Sequence, residues 1–303
     1  MTASPSSSAG QMTLEEIGSQ PECWRRAQGQ AADETDRLPK RGERVLVLGC
    51  GTSFFVASAY AWLREQAGHG ETDAVIASEL PQVVRRYDRV VSISRSGTTT
   101  EVLEALDRLD DDVRVTAVVG DVDTPLARRA DDVIDLGYAD EQSVVQTRFP
   151  TTLLVLLRTH LGESDVRQHE LVSRGQAALD APLRFARPGQ LVVLGSGWAA
   201  PLADEAALKC RESVGMWAES YACGEYLHGP VSVAGPETLV WALTPLTRIQ
   251  TDTITGTGAR IHHGGDEPLA ELVGIQRHAV EWAAASGRDA DVPPHLTRSV
   301  VLR

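Results

Sequence analysis

Short apolar runs alternate with stretches in which apolar residues recur every three or four positions, and this rhythm holds from about residue 44 onward. Arg44-Val-Leu-Val-Leu48 predicts a short buried strand, Gly49-Cys-Gly-Thr-Ser53 a tight turn, and 54–66 a helix with Trp62 and Leu63 on its apolar face. Strands are predicted again at 73–77, 90–93, 113–119 and 133–136, each separated by a helical or turn segment. That alternation is the signature of a parallel sheet covered by helices. Residues 144–161 predict the most apolar helix, with Pro150 either kinking it or sitting in its first turn. Upstream, 13–27 reads as a helical arm and the polar run 28–42 as its linker.

The pattern then repeats. Leu191-Val-Val-Leu-Gly-Ser-Gly-Trp-Ala199 restates Val45-Leu-Val-Leu-Gly-Cys-Gly-Thr-Ser53, with Gly195 and Gly197 in the places of Gly49 and Gly51. The expected fold class is therefore α/β, with two subdomains that are each a parallel sheet sandwiched by helices in Rossmann-like, flavodoxin-type layers. The expected division is a disordered N-terminus, arm and linker (1–42), a first half (43–165), a second half (166–287) and a C-terminal tail (288–303). Residues 238–243 stand where 90–93 stood, and the short stretch 250–267 predicts that the second sheet has lost its outer strand.

Candidate chemistry falls where these elements meet. The run 90–93 ends in Ser94-Arg-Ser-Gly-Thr-Thr99, which opens a helix predicted at 101–109. Unpaired N–H groups at a helix start, the hydroxyls of Ser94, Ser96, Thr98 and Thr99, and the small Gly97 fit a phosphate; the alternative is an ordinary N-cap cluster. In the second half the loop reads Thr244-Pro-Leu-Thr247, so one phosphate site per chain is expected, in the first half. Gly49-Cys-Gly51 lacks the third small residue of a dinucleotide fingerprint and Gly195-Ser-Gly197-Trp-Ala-Ala200 has it. Both are read as tight strand-to-helix turns without a nucleotide, because both belong to the repeat. Lys209 and Glu212, three apart, share one helical face, and His228 precedes Gly-Pro in a turn. A surface ion pair and a backbone-bonded turn histidine are the alternatives.

Composition narrows the classes. A net charge of −13 over 303 residues argues against a nucleic-acid partner, since duplex phosphates demand clustered Lys and Arg. Cys23, Cys50, Cys210 and Cys223 show no CxxC spacing and read as reduced thiols, neither disulfides nor zinc ligands. No run approaches 18 apolar residues, so a soluble cytoplasmic protein without a membrane partner is expected.

These motifs, in order, resemble the double-SIS (sugar isomerase) family, found in the isomerase half of glucosamine-6-phosphate synthase, in aldose/ketose isomerases and in aminosugar-phosphate deaminases. The likeness rests on Glu16-Ile17 with Gln20-Pro21, Gly49-Cys-Gly-Thr-Ser53, Ala77-Ser-Glu79, Ser94-x-Ser-Gly-x-Thr99, Ala207-Leu-Lys-x-x-Glu212 and Ala218-Glu-x-Tyr-Ala-x-Gly-Glu-x-x-His-Gly-Pro230. It implies phosphate binding by Ser53, Ser94, Arg95, Ser96 and Thr99, and substrate contacts from Gly51, Thr52, Val144 and Arg298. It also implies Glu212 as the base between C1 and C2, Lys209 as its support and His228 as the ring opener, with no cofactor and no metal. A homodimer is implied, with His228 reaching across the two-fold into the other chain's site.

Departures matter as much. Residue 2 is Thr2 where a glutaminase nucleophile would be cysteine, so glutamine is not the expected nitrogen donor. Arg298 stands where the family synthase has an imine-forming lysine, and a guanidinium cannot form that imine. Gln146, Thr147 and Arg148 replace Ser-Thr-Lys, Arg95 replaces a glutamine and Thr98 a glutamate. The expected activity is isomerisation or deamination of an (amino)hexose 6-phosphate; the alternative is a sensor that binds a sugar phosphate without turnover.

Overall fold

Central strands rich in Val and Leu, such as Val45–Gly49 and Gln190–Gly195, need cover on both faces, and the fold supplies it twice. The computed structural model describes residues 9–110 and 112–302. Its first sheet contains β1 (Val45–Gly49), β2 (Thr72–Ile76), β3 (Arg89–Ile93), β4 (Arg114–Val119) and β5 (Asp132–Asp135), in the order β2-β1-β3-β4-β5 and parallel throughout. Every residue of β1 and β3 is buried. The second sheet contains β6 (Gln190–Gly195), β7 (Ala218–Ala222), β8 (Thr238–Ala242) and β9 (Arg260–His263), parallel in the order β7-β6-β8-β9. Strand order thus repeats, except that no counterpart of β5 exists among the described residues, as the short stretch after 250 predicts.

The repeated glycines have a common cause. In both halves the first turn of the next helix folds back onto the strand end. A Cβ on Gly49 would lie 2.6 Å from the backbone of Ser53, and one on Gly195 would lie 2.1 Å from the carbonyl oxygen of Ala199. The helices that follow are α3 (Thr52–Gln66) and α8 (Ala199–Val214), and they pack against each other. One buried apolar cluster runs through both halves, from Val47 and Tyr60 to Leu202, Trp241 and Trp282. At its centre is α6 (Arg148–His160), whose residues 149–158 are all buried; Pro150 is its third residue, where its missing N–H costs nothing.

Expectation and structure differ at the N-terminal arm. It is two helices, α1 (Gln11–Gly18) and α2 (Gln20–Gln30), and the polar segment behind them is anchored by buried Ala31, Glu34 and Leu38. Its polar composition makes this segment read as a linker, and three buried side chains hold that linker to the core. The disorder expected at the extreme N-terminus concerns residues 1–8, outside the described residues. The remaining helices are α4 (Thr100–Leu106), α5 (Pro125–Arg129), α7 (Asp165–Asp180), α9 (Arg248–Gly256) and α10 (Pro268–Ala285). Among the described residues no helix is long and apolar enough to cross a membrane.

Candidate active site

In an open parallel sheet the crevice lies beyond the carboxyl ends of the strands, where the strand order reverses. In the first half that point is between β1 and β3. The turn after β1 brings Gly51, Thr52 and Ser53 there, and the loop after β3 brings Ser94, Ser96 and Thr99. Gly97 holds the second loop tight at φ +61°, and its N–H donates to Ser94 Oγ at 3.1 Å. Ser94 Oγ and Thr99 Oγ1 are 3.2 Å apart. The helix that follows, α4, is seven residues long.

A third wall comes from the second half. Because α8 packs on α3, Lys209 and Glu212 reach a cavity of about 180 Å³ that the hydroxyls line. Lys209 Nζ donates to Glu212 Oε2 at 2.6 Å and to Thr52 Oγ1 at 3.0 Å, and lies 3.4 Å from Glu205 Oε1. Burial alone would push this amine toward neutrality, but Glu205 and Glu212 outweigh that and hold it above its usual range. Lys209 and Glu212 are therefore not a solvated surface pair: Lys209 is 1% exposed.

The C-terminal segment 296–300 closes the fourth side. Ser299 Oγ sits 3.0 Å from Ser96 Oγ and 2.9 Å from Thr98 Oγ1, and Thr100 N–H donates to the Val300 carbonyl at 3.2 Å. Val144 and Arg298 line the cavity as well. The Arg298 guanidinium grips both carboxylate oxygens of Asp140 at 2.5 Å, which ties the tail to the loop before α6.

Two expected site residues are elsewhere. Arg95 does not line the cavity: its buried guanidinium donates to the carbonyls of Ser143, Val144 and Arg298 and lies 3.6 Å from Glu141. Expected to bind phosphate, Arg95 instead has three carbonyls and a carboxylate around it and stands outside the cavity lining. His228 is exposed on the short turn Glu225–His228 and does not line the cavity of its own chain.

Other residues went unread. Glu205 is fully buried, and its contact with Lys209 is an ion pair without an aligned hydrogen bond. Burial pushes its carboxyl up to about 7, Lys209 pulling back and Glu212 pushing further. The signal was available, since Glu205 precedes Lys209 by four residues on one helix. Gln146, noted only as a departure, lines the cavity with its amide oxygen buried and unpartnered among the described residues. Glu141 accepts the N–H groups of Thr147 and Arg148 at 2.5 and 2.8 Å, capping α6, while Glu16 of α1 accepts the N–H of Gln142 at 2.6 Å. Those two carboxylates hold the loop that carries Val144 and Gln146.

Residues 39–159 match the SIS domain. That match covers the first of the two halves. The isomerising glutamine–fructose-6-phosphate aminotransferase of Zymomonas mobilis is 27% identical to this chain, over 86% of the chain and 52% of the relative. That of Sulfurisphaera tokodaii is 28% identical over 87% and 51%. The chain spans about half the length of the curated relatives it matches. Among solved structures, glucosamine-6-phosphate deaminase from Thermotoga maritima aligns at a TM-score of 0.79 and 25% identity, over 96% of this chain and 100% of that one. Tagatose-6-phosphate ketose/aldose isomerase from Escherichia coli shares the fold at a TM-score of 0.78 and 20% identity, over 100% and 98%.

Proposed function

We propose that this protein, whose first half matches the SIS domain, deaminates an aminohexose 6-phosphate to a ketohexose phosphate and ammonia. The observation that carries the reading is that one cavity joins four hydroxyls of the first half, on Ser53, Ser94, Ser96 and Thr99, to the Lys209–Glu212 pair of the second. The hydroxyls hold the phosphate. Glu212 takes the proton from C2 of the opened sugar and returns it at C1, and the charged Lys209 beside it steadies the negative charge that develops in between. The enolamine so formed becomes an imine at C2, and water replaces its nitrogen to give the ketone and free ammonia. No lysine imine is needed, which suits Arg298 bound to Asp140. The unpaired amide of Gln146 is placed to bond a sugar hydroxyl or amine. The Thermotoga maritima deaminase supports this choice over plain isomerisation, which uses the same proton transfer.

The experiment is ammonia release from a panel of aminohexose 6-phosphates, run beside isomerisation of the parent hexose phosphates. One aminohexose phosphate is expected to yield stoichiometric ammonia, and Glu212→Gln to slow it by about 10³-fold or more. Turnover untouched by Glu212→Gln would remove the proposed base.

His228 enters the reaction in a C2 homodimer, reaching the site of the second copy to open the ring. The reading is supported by its exposure in one chain and by Val233, 64% exposed two short turns of backbone further on. Mixed dimers of Glu212→Gln and His228→Ala chains are expected to regain activity, because one of their two sites holds both native residues. Silent mixed dimers beside an active native dimer would sink the shared site.

A further inference from the structure

A second cavity, of about 320 Å³, lies in the other half, between α7, α10 and the outer edge of the second sheet. Its floor is aromatic: the rings of Trp241 and His262 are 4.2 Å apart, and Phe185 stands edge-on to each at 5.6 Å. Ala178, Ala181, Ala270 and Gly274 form its walls; Trp241 is buried behind them, and His262 and Phe185 are half-buried. The space sits beside β9, where the second sheet stops and the first continues to a fifth strand.

The polar groups around it are mostly committed. Glu271 accepts from His262 Nε2 at 2.9 Å, Trp241 Nε1 at 3.0 Å and Gly265 N–H at 2.9 Å, which leaves His262 Nδ1 without a partner among the described residues. His278 donates from Nδ1 to the Gly274 carbonyl and accepts the Arg184 N–H at Nε2. Glu267 is held by Arg158 through both oxygens. The uncommitted charge is positive. Arg184 has no side-chain partner among the described residues, and Arg174 is only loosely paired, 3.8 Å from Asp266. Both guanidiniums line the aromatic slot.

We propose that this cavity is a second small-molecule site, for a flat aromatic ring bearing an anionic group. The ring lies against His262 and Phe185, and the anion meets Arg184 and Arg174 at the mouth. The volume is in the range of sites that enclose small ligands, and apolar walls with few directed polar groups are what such sites are made of. A carboxylate and a phosphate monoester would satisfy the arginines alike. The site shares no lining residue with the hydroxyl cradle.

The test is calorimetric titration of the full chain with naphthalene-2-carboxylate and with 2-naphthyl phosphate, using neutral 2-naphthalenemethanol as reference. At least one anionic probe is expected to bind once per chain, and the tighter of the two names the anion. Ala178→Phe, which fills the cavity, is expected to weaken both by at least about tenfold. Arg184→Glu, at an exposed position, is expected to weaken the anionic probes by roughly fivefold and to leave the alcohol unaffected. Absence of binding at millimolar probe, or binding indifferent to Arg184→Glu, overturns the proposal. So does a change of molecular mass in either variant without probe binding, which would mean that a second copy covers this face.

Discussion

Thr99 and Thr247 occupy the same place in the two halves, each just before the helix that follows the third-entered strand, β3 or β8. Thr247 spends its hydroxyl on its own helix: it accepts the Gln250 N–H at 3.3 Å while the Gln250 amide accepts the Thr247 N–H at 2.8 Å, a closed capping box. Thr99 makes no such cap. Its hydroxyl faces Ser94 and the cavity. The helices α3 and α8 diverge in the same way, one presenting Thr52 and Ser53 at its start and the other Lys209 and Glu212 near its end. A repeated fold has thus been divided: one half lines the cavity with uncharged hydroxyls, the other brings the Lys209–Glu212 pair to it. The contact of Lys209 with Thr52 joins the two contributions.

The strongest way to break this division is to remove the charge that the second half delivers. Lys209→Met leaves Glu205 buried without its cation, and an uncompensated buried carboxylate typically costs about 3–5 kcal/mol. A loss of that size is expected in urea unfolding, with Glu205→Gln added to Lys209→Met recovering about 2 kcal/mol or more. If the double variant is as unstable as the single, the amine is held by packing and not by the pair.

A smaller effect follows from Glu205 alone. Its carboxyl, raised by burial, titrates at about 7 in the fold against 4.5 for an unperturbed carboxyl. Between those values the folded chain holds a proton that the unfolded chain has released, so stability falls as pH rises through that window. The contribution is on the order of 3 kcal/mol across it. Glu205→Gln is expected to lose this slope, seen by comparing unfolding at pH 5 and pH 8; an unchanged slope would move the titration to another group.

What the sequence disclosed depends on whether a signal is local. Strands of consecutive Val and Leu and the glycine turns at 49 and 195 are fixed by neighbours in the chain, and they stand within a residue or so of where periodicity puts them. Ser94, Ser96 and Thr99 are legible for the same reason, being one loop. Arg95 is in that loop too, yet its side chain answers to carbonyls at 143, 144 and 298, which no spacing near residue 95 reveals. Nor does the composition of 28–42 show that Leu38 is buried, since that depends on strands brought up from later in the chain. Gln146 reads as a mere substitution until the fold places it in the cavity with its amide oxygen unpaired.

The mildest test returns to the two threonines and sharpens the comparison most. Losing the hydroxyl of a capping threonine costs about 1 kcal/mol of stability, so Thr247→Ala is expected to lower the unfolding free energy by roughly that amount with KM for the sugar phosphate unchanged. Thr99→Ala removes a hydroxyl that caps nothing, so stability is expected to move by less than about 0.5 kcal/mol. The same change takes one donor from a bound phosphate, and a hydrogen bond to a charged group contributes about 1.5–3 kcal/mol, so KM is expected to rise at least about tenfold while kcat changes little. The two variants should therefore trade signatures, one in the unfolding curve and one in KM. A Thr99→Ala chain that melts early with KM intact would show that both hydroxyls serve their helices, and the cradle would then have to hold its anion through Ser53, Ser94 and Ser96 alone.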